Sequence, residues 1–204
     1  MIPDKTIGRL SLYRRLLNRL LAEGVKNIYS HQLAAMAGVT AAQVRRDIMS
    51  IGCSGNPNRG YDAADLAASI GLSLDDPEGQ RVALVGVGNL GRAILAYFTG
   101  RRPRLSIVAA FDNDPRKYHR VIQGCRVYPI ENLSEVVAEL GITVGIIAVP
   151  ANDAQQVADT LVREGIKGIL NFAPVRIRVP SNVHVEDIDM TMSLEKVAYF
   201  ARRK

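Results

Sequence analysis

Gly86-Val87-Gly88-Asn89-Leu90-Gly91 is the stretch of this chain with the most explicit chemistry. Three glycines in a G-x-G-x-x-G spacing stand between an apolar run and a helical pattern. The first permits a tight turn, the second lets main chain approach a pyrophosphate, and the third lets the helix pack closely on the strand. The helix start adds free N–H groups and positive potential. Asp112 ends the next apolar run, 26 residues after Gly86. A carboxylate there accepts hydrogen bonds from an adenosine ribose and repels a 2′-phosphate, which favours NAD(H) over NADP(H). A glycine turn used only for packing, or a coenzyme A site, also fits these residues.

Hydride transfer needs a substrate pocket and an acid or base beside the nicotinamide. His31, His119 and His184 lie in different elements, and no Ser/His/Asp or metal-ligand constellation is visible. No separate substrate domain follows the dinucleotide motif. The residues therefore fit NADH or NAD+ as an effector ligand better than as a reactant, with no catalytic residue and no metal site.

The second chemically pointed region is basic. Residues 1–61 hold nine of the 26 Lys and Arg beside three acids. Residues 62–204 hold 17 of each sign, so the formal charge of +6 sits wholly in the first third. A basic module fused to a neutral one points to a polyanion partner for the first module. Thr40-Ala41-Ala42-Gln43 reads as a capping box, with the Thr40 hydroxyl meeting the Gln43 N–H and the Gln43 side chain reaching back. The helix it opens carries Val44 and Ile48 inward and leaves Gln43, Arg45, Arg46 and Ser50 on its surface. A shorter helix, capped by Ser30 and ended at Gly38-Val39, precedes it. The pair has the length and turn chemistry of a helix-turn-helix. Residues 52–61, rich in turn formers and carrying Arg59 and Tyr61, fit a β-wing, an ordinary surface loop being the alternative.

Elements must position these groups. Ile7, Leu10, Tyr13, Leu17, Leu20 and Leu21 give a first helix stopped at Gly24, and residues 62–70 a further helix ended by Gly71. Polar residues 73–79, with Pro77 and Gly79, are the linker. Beyond it the spacing predicts strands at 81–87, 105–112, 125–128, 143–149 and 167–171. Helices through Ile94 and Phe98, at 133–140 and at 153–164, alternate with them, which implies a parallel, doubly wound sheet. The fold class is α/β: a winged helix-turn-helix domain (1–78), a Rossmann-like domain (79–190) and a C-terminal helix (191–204). That last helix, read from Ser193, ends in Arg202-Arg203-Lys204, charges that suit a helix C-terminus. No apolar run approaches the roughly 20 residues of a membrane span, and residues 1–5 carry no apolar leader. Cys53 and Cys125 make neither a disulfide framework nor a zinc knuckle, and both read as small hydrophobes. A cytoplasmic protein is expected.

Gln43-Val44-Arg45-Arg46-Asp47, the glycine motif at 86–91, and Gly168-Ile169-Leu170-Asn171-Phe172-Ala173-Pro174 occur in that order. Together they resemble the Rex family of bacterial redox-sensing transcriptional repressors, over essentially the whole chain. The resemblance implies a homodimer whose C-terminal helix is swapped between subunits, with winged helices on palindromic operator DNA. It also implies that NADH binding releases the DNA, so that genes of NADH-oxidising and fermentative metabolism are derepressed. Gln43, Arg45 and Arg46 then face DNA, with Arg46 on phosphate, and Ser50, Arg59 and Tyr61 join them. Arg15, Tyr97 and Asp189 match a switch network in which the Asp comes from the neighbouring subunit. Read by themselves, Arg15 is a solvated or phosphate-binding charge and Tyr97 a core aromatic. Val149-Pro150 and Asn171-Phe172 lie at strand ends where a bound dinucleotide should run, and Tyr97 joins them as a cofactor contact. The wing departs from the family, which carries aromatics near 51 and 54 and Arg-Gly near 57–58. Here Ile51, Ser54, Pro57 and Asn58 stand there and the arginine is Arg59, which bears on minor-groove contacts and operator preference. The rival reading is a small NAD-dependent oxidoreductase or a coenzyme A-binding protein with a basic N-terminal arm.

Overall fold

In a computed structural model, which describes residues 2–100 and 104–202, the first apolar stripe forms the expected long helix. This helix, α1 (Asp4–Ala22), buries Leu10, Tyr13 and Leu17, and the i, i+3, i+7 spacing puts them on one face. They share a core with side chains of α2 (Ser30–Ala37), α3 (Ala41–Met49) and α4 (Ala63–Leu74), chiefly Leu33, Val44, Ile48, Leu66 and Ile70. A two-stranded ladder of β1 (Asn27–Ile28) and β2 (Tyr61–Asp62) pairs Ile28 with Tyr61. These elements form one compact unit, Met1–Pro77.

The turn between α2 and α3 is set by Gly38, which is left-handed at φ 67°, a conformation open to glycine at little cost. Tyr29, not Ser30, is the N-cap of α2, and the Gln32 side chain accepts its N–H at 2.8 Å. Asp62 caps α4 by accepting from the N–H groups of Ala64 and Asp65. Gly71 does not end that helix: the ladder continues through it, and the Asp75 N–H donates to its carbonyl at 2.8 Å. The wing is shorter than a paired hairpin. Main-chain bonds between Asn56 and Gly60 close its tip, and the Asn56 side chain accepts from the N–H groups of Asn58 and Arg59. The Tyr29 hydroxyl donates to the Asn58 carbonyl at 2.7 Å.

The second unit, Glu78–Lys204, is the alternating part of the chain. In order it runs β3 (Gln80–Val85), α5 (Asn89–Phe98), β4 (Leu105–Asp112), β5 (Val121–Ile122), β6 (Cys125–Pro129), α6 (Leu133–Leu140), β7 (Val144–Ile147), α7 (Ala151–Arg163), β8 (Gly168–Asn171), β9 (His184–Asp187) and α8 (Met190–Ala201). The strand order is β5-β6-β4-β3-β7-β8-β9. All neighbours are parallel except the β5–β6 hairpin. Alternation along β3 sends Ala83 and Val85 to one face, with Val136 and Leu161 of α6 and α7. It sends Val82 and Leu84 to the other, with Ile94 and Leu95 of α5. Both faces are covered, as a doubly wound sheet requires. The chain leaves β3 toward β4 and later returns to its other side as β7, so the switch point lies beyond the C-terminal end of β3.

Element ends differ from expectation for local reasons. β3 stops at Val85 because Gly86 turns at φ 98°. α8 starts at Met190, before Ser193, because the Asp189 carboxylate accepts the Met192 N–H at 2.7 Å. Arg203 and Lys204 of the expected basic end lie outside the described residues. Every described side chain of α8 is at least partly open to solvent, including Leu194, Val197 and Phe200. Cys125 is buried as expected, and burial pushes its thiol up to about 11. No helix among the described residues is long and apolar enough to cross a membrane.

Candidate functional site: a dinucleotide cradle and a nucleic-acid face

The glycine motif sits at the switch point, and each glycine does a separate job there. A Cβ on Gly86 would strike the main chain of Ala148, and one on Gly91 would strike the Gly86 carbonyl. A Cβ on Gly88 would meet nothing within 4 Å. Two glycines thus serve packing, and the third leaves the start of α5 open for a ligand. A cavity of about 470 Å³ opens beside it. Gly86, Gly88, Asp112, Val149 and Pro150 line it, so these expected residues are brought together. Residues not expected there also line it: Asn113 and Lys117 beyond β4, and Gln156 and Thr160 on α7. The signal for Lys117 was local. Asp114-Pro115 begins a short 3-10 turn, Asp114 accepting from the Arg116 N–H, and the turn brings Lys117 back toward the strand end.

Asp112 does line the cavity, but its carboxylate is engaged by the protein. Oδ2 accepts from the Val87 N–H at 2.7 Å and from Lys117 Nζ at 2.9 Å, and Oδ1 from the Asp114 N–H at 2.9 Å. Three of its roughly four acceptor directions are taken. Burial alone would raise this carboxyl, but Lys117 and the two N–H groups outweigh it and hold it below its ordinary range. The carboxylate therefore braces the glycine loop as well as facing the cavity. The open start of α5, the apolar walls and the turned-in Lys117 suit a dinucleotide laid across the strand ends.

Other expected cofactor residues are not at the cavity. Val87 is buried, and Asn89, Leu90 and Gly91 form the first turn of α5. The Asn171 side chain is wholly buried, donating to the Val175 carbonyl and Asp187 and accepting from the Ala173 N–H. It holds the loop after β8. Phe172 packs half-buried on the α5 face of the sheet. Tyr97, read by itself as a core aromatic, is 55% exposed on α5, its ring edge-on to Phe98. Asp189 caps α8, and Arg15 is exposed on α1.

In the first unit, α3 presents its expected surface with two corrections. The Thr40 hydroxyl accepts from the Gln43 N–H at 3.1 Å, but the Gln43 side chain does not reach back to complete the box. It donates to Asp47 at 2.8 Å and accepts from Arg46 at 2.9 Å. Tyr61 is 9% exposed; its ring packs into the core of the unit beside Ile28, and burial raises its hydroxyl. Arg45 and Arg46 are exposed, with Arg45 donating to Ser30 at 3.1 Å. Ser50 is exposed and closes the helix by donating to the Asp47 carbonyl, while Arg59 is exposed on the wing. Asp47, a buried carboxylate in the last turn of this helix, is the residue whose role the sequence does not reveal.

Comparison with known proteins covers both units. A family model described as "Putative DNA-binding protein N-terminus" matches residues 1–48, and one described as "CoA binding domain" matches residues 78–175. A curated relative from Rhodopirellula baltica, the "Redox-sensing transcriptional repressor Rex", is 44% identical over 97% of this chain and 84% of its own length. A relative of the same name from Carboxydothermus hydrogenoformans is 43% identical over 99% and 97%. The crystal structure of RSP with beta-NAD+ and operator DNA superposes with a TM-score of 0.90 at 34% identity, covering 98% of this chain and 93% of that one. RSP in complex with beta-NADH superposes at 0.88 and 33% identity, covering 98% and 94%.

Proposed function

This chain belongs to the Rex family of redox-sensing transcriptional repressors, and from that premise we propose how its two units divide the work. The protein is a repressor that reads the NADH/NAD+ ratio, not an enzyme; the nucleotide is an effector. Residues 1–78 bind operator DNA, residues 79–190 bind the nucleotide, and helix 191–204 exchanges between the subunits of a cytoplasmic homodimer. The apolar, solvent-facing side chains of α8 support the exchange, since a dimer would cover them.

The nucleotide's pyrophosphate lies on the start of α5 at Gly88, with Gly86, Val149 and Pro150 around it and Asp112 toward the adenosine ribose. Val87, Asn89, Leu90 and Gly91 shape that turn, while Asn171, Phe172 and Tyr97 complete the nicotinamide end in the dimer. Gln43 and Arg45 reach base edges of a palindromic operator, and Arg46, Ser50 and Arg59 contact its backbone. Arg15, Tyr97 and the partner's Asp189 form the switch that differs between the two nicotinamide states. The observation that carries this reading is the open Gly88 cradle joined in one chain to a module holding all the excess positive charge.

The switch is a shift of population. NADH and NAD+ occupy one site, so only a difference in their affinity for the DNA-binding and released arrangements can move the equilibrium. Carrying it from 1:99 to 99:1 needs about 5.5 kcal/mol of such difference. The test is a mobility-shift titration on an operator selected from random duplexes. NADH should release the DNA and NAD+ should not; equal behaviour of the two nucleotides would overturn the proposal.

A further inference from the structure

Helix α3 contains a carboxylate that is turned into the protein. Asp47 is 2% exposed, one turn beyond Gln43 on the same helix. Arg9 of α1 grips it side-on, donating from Nε to Oδ2 at 2.6 Å and from Nη2 to Oδ1 at 2.7 Å. The wholly buried Tyr13 donates its hydroxyl to Oδ2 at 2.9 Å. Gln43 Nε2 donates to Oδ1 at 2.8 Å, and Gln43 Oε1 in turn accepts from Arg46 Nη2 at 2.9 Å. Each carboxylate oxygen therefore takes two donors, which fills the group.

This arrangement decides which way the Gln43 amide faces. An ionised carboxylate only accepts and a guanidinium only donates. The amide NH2 must then face Asp47, and its oxygen must face Arg46. Burial alone would raise the Asp47 carboxyl, but the bonds from Arg9, Gln43 and Tyr13 outweigh it and keep the group ionised. A glutamine that reads a base pair offers a donor and an acceptor in a set order, and a flipped amide presents the reverse pattern.

We propose that Asp47 is a positioning residue for DNA readout: it holds α3 to α1 and fixes the donor–acceptor order of Gln43 and, through it, the place of Arg46. This rests on the assignment of α3 as the DNA-reading helix. Asp47 touches no base or phosphate. It acts through Gln43.

The test uses the full-length protein with NAD+ and operators recovered by the unmodified protein from a random duplex library. Affinities are measured for the recovered operator, for single base-pair variants of it, and for unrelated duplex. Asp47→Asn replaces one of the two accepting oxygens with an NH2 group and lets Gln43 turn over. Operator affinity is expected to fall at least tenfold, affinity for unrelated duplex less than threefold, and the base preference at one position of each half-site to be lost. In a Gln43→Ala background the same change should cost less than twofold further in specificity, because the two residues act as one. Tyr13→Phe, which removes one donor and keeps the core ring, should give a smaller loss at the same position, and it serves if Asp47→Asn does not fold. An operator bound by either variant with unchanged base preference overturns the proposal while leaving the DNA-binding assignment standing. Recovery of no sequence by the unmodified protein overturns both.

Discussion

Asp47 and Asp112 are the two buried carboxylates of this chain's described residues, 2% and 6% exposed, and each is held ionised by one cation and further donors. Their partners differ in kind. Asp47 gathers side chains only: Arg9 and Tyr13 from α1, and Gln43 from its own helix. Asp112 gathers Lys117 and two main-chain N–H groups, one inside the glycine motif and one in the turn after β4. On the proposed division of work, the difference follows what each unit would recognise. Base edges are read by side chains, whose direction must be set. A pyrophosphate is held by main-chain N–H groups, whose peptide planes must be set. One carboxylate aims side chains and the other aims backbone.

Removing Asp112 should therefore cost more than removing Asp47. Asp112→Ala leaves the buried Val87 N–H, whose direction the main chain fixes, without its acceptor, and takes the carboxylate from Lys117. A loss of about 3–4 kcal/mol is expected in the second unit, with NADH binding abolished. Urea unfolding and NADH calorimetry on the full chain measure both. Asp47→Ala should cost the first unit less, about 2 kcal/mol, because its donors are side chains: Arg9 and Gln43 can turn to solvent, and only the Tyr13 hydroxyl is left buried. Equal losses, or a larger loss at Asp47, would break the comparison.

The two carboxylates also mark where sequence reasoning reached and where it stopped. β4 was legible over its full length, and the glycine motif was legible because its turn, cradle and packing roles all lie within six residues. Asp112 was found by its position at a strand end. Asp47 lies in the Gln43–Asp47 stretch with no role visible in sequence, since the partners that define it lie 38 and 34 residues earlier in the chain. Tyr61 misled for the opposite reason. Beside Arg59 in a turn-rich segment it reads as a wing residue, and only the pairing of Tyr61 with Ile28 turns it inward. Gly71 reads as a helix stop, yet the helix continues through it because glycine disfavours a helix without forbidding one. Local turn chemistry was readable; long-range pairing was not.

Acid sharpens the comparison further. Both carboxyls titrate below their ordinary range when folded, so the unfolded chain binds more protons and stability rises with pH in that window. Their contribution is complete above the unfolded carboxyl value of about 4 and is lost as pH falls through the folded values. Thermal unfolding between pH 7 and pH 3 should show each unit weakening only in the lower part of that range. Asp47→Asn should flatten the dependence in the first unit alone, and Asp112→Asn in the second alone. A slope that each variant changes in both units would mean that the two carboxylates are coupled, contrary to their separate sets of partners.

The smallest effect on stability is expected at Gly88, and it isolates the cradle from its support. A methyl group there meets nothing within 4 Å, and φ is −77°, which alanine adopts without strain. Gly88→Ala should move the unfolding free energy by less than about 0.5 kcal/mol. Its methyl group nevertheless stands where main chain must approach the pyrophosphate at the start of α5, so NADH affinity should fall at least tenfold by calorimetry. Gly91→Ala gives the contrast, because its Cβ runs into the Gly86 carbonyl and destabilises the unit whether or not nucleotide is present. If Gly88→Ala binds NADH as tightly as the unmodified chain, the pyrophosphate does not lie on this turn. Asp112 would then be bracing a loop for packing alone, and the contrast with Asp47 would lose its functional meaning.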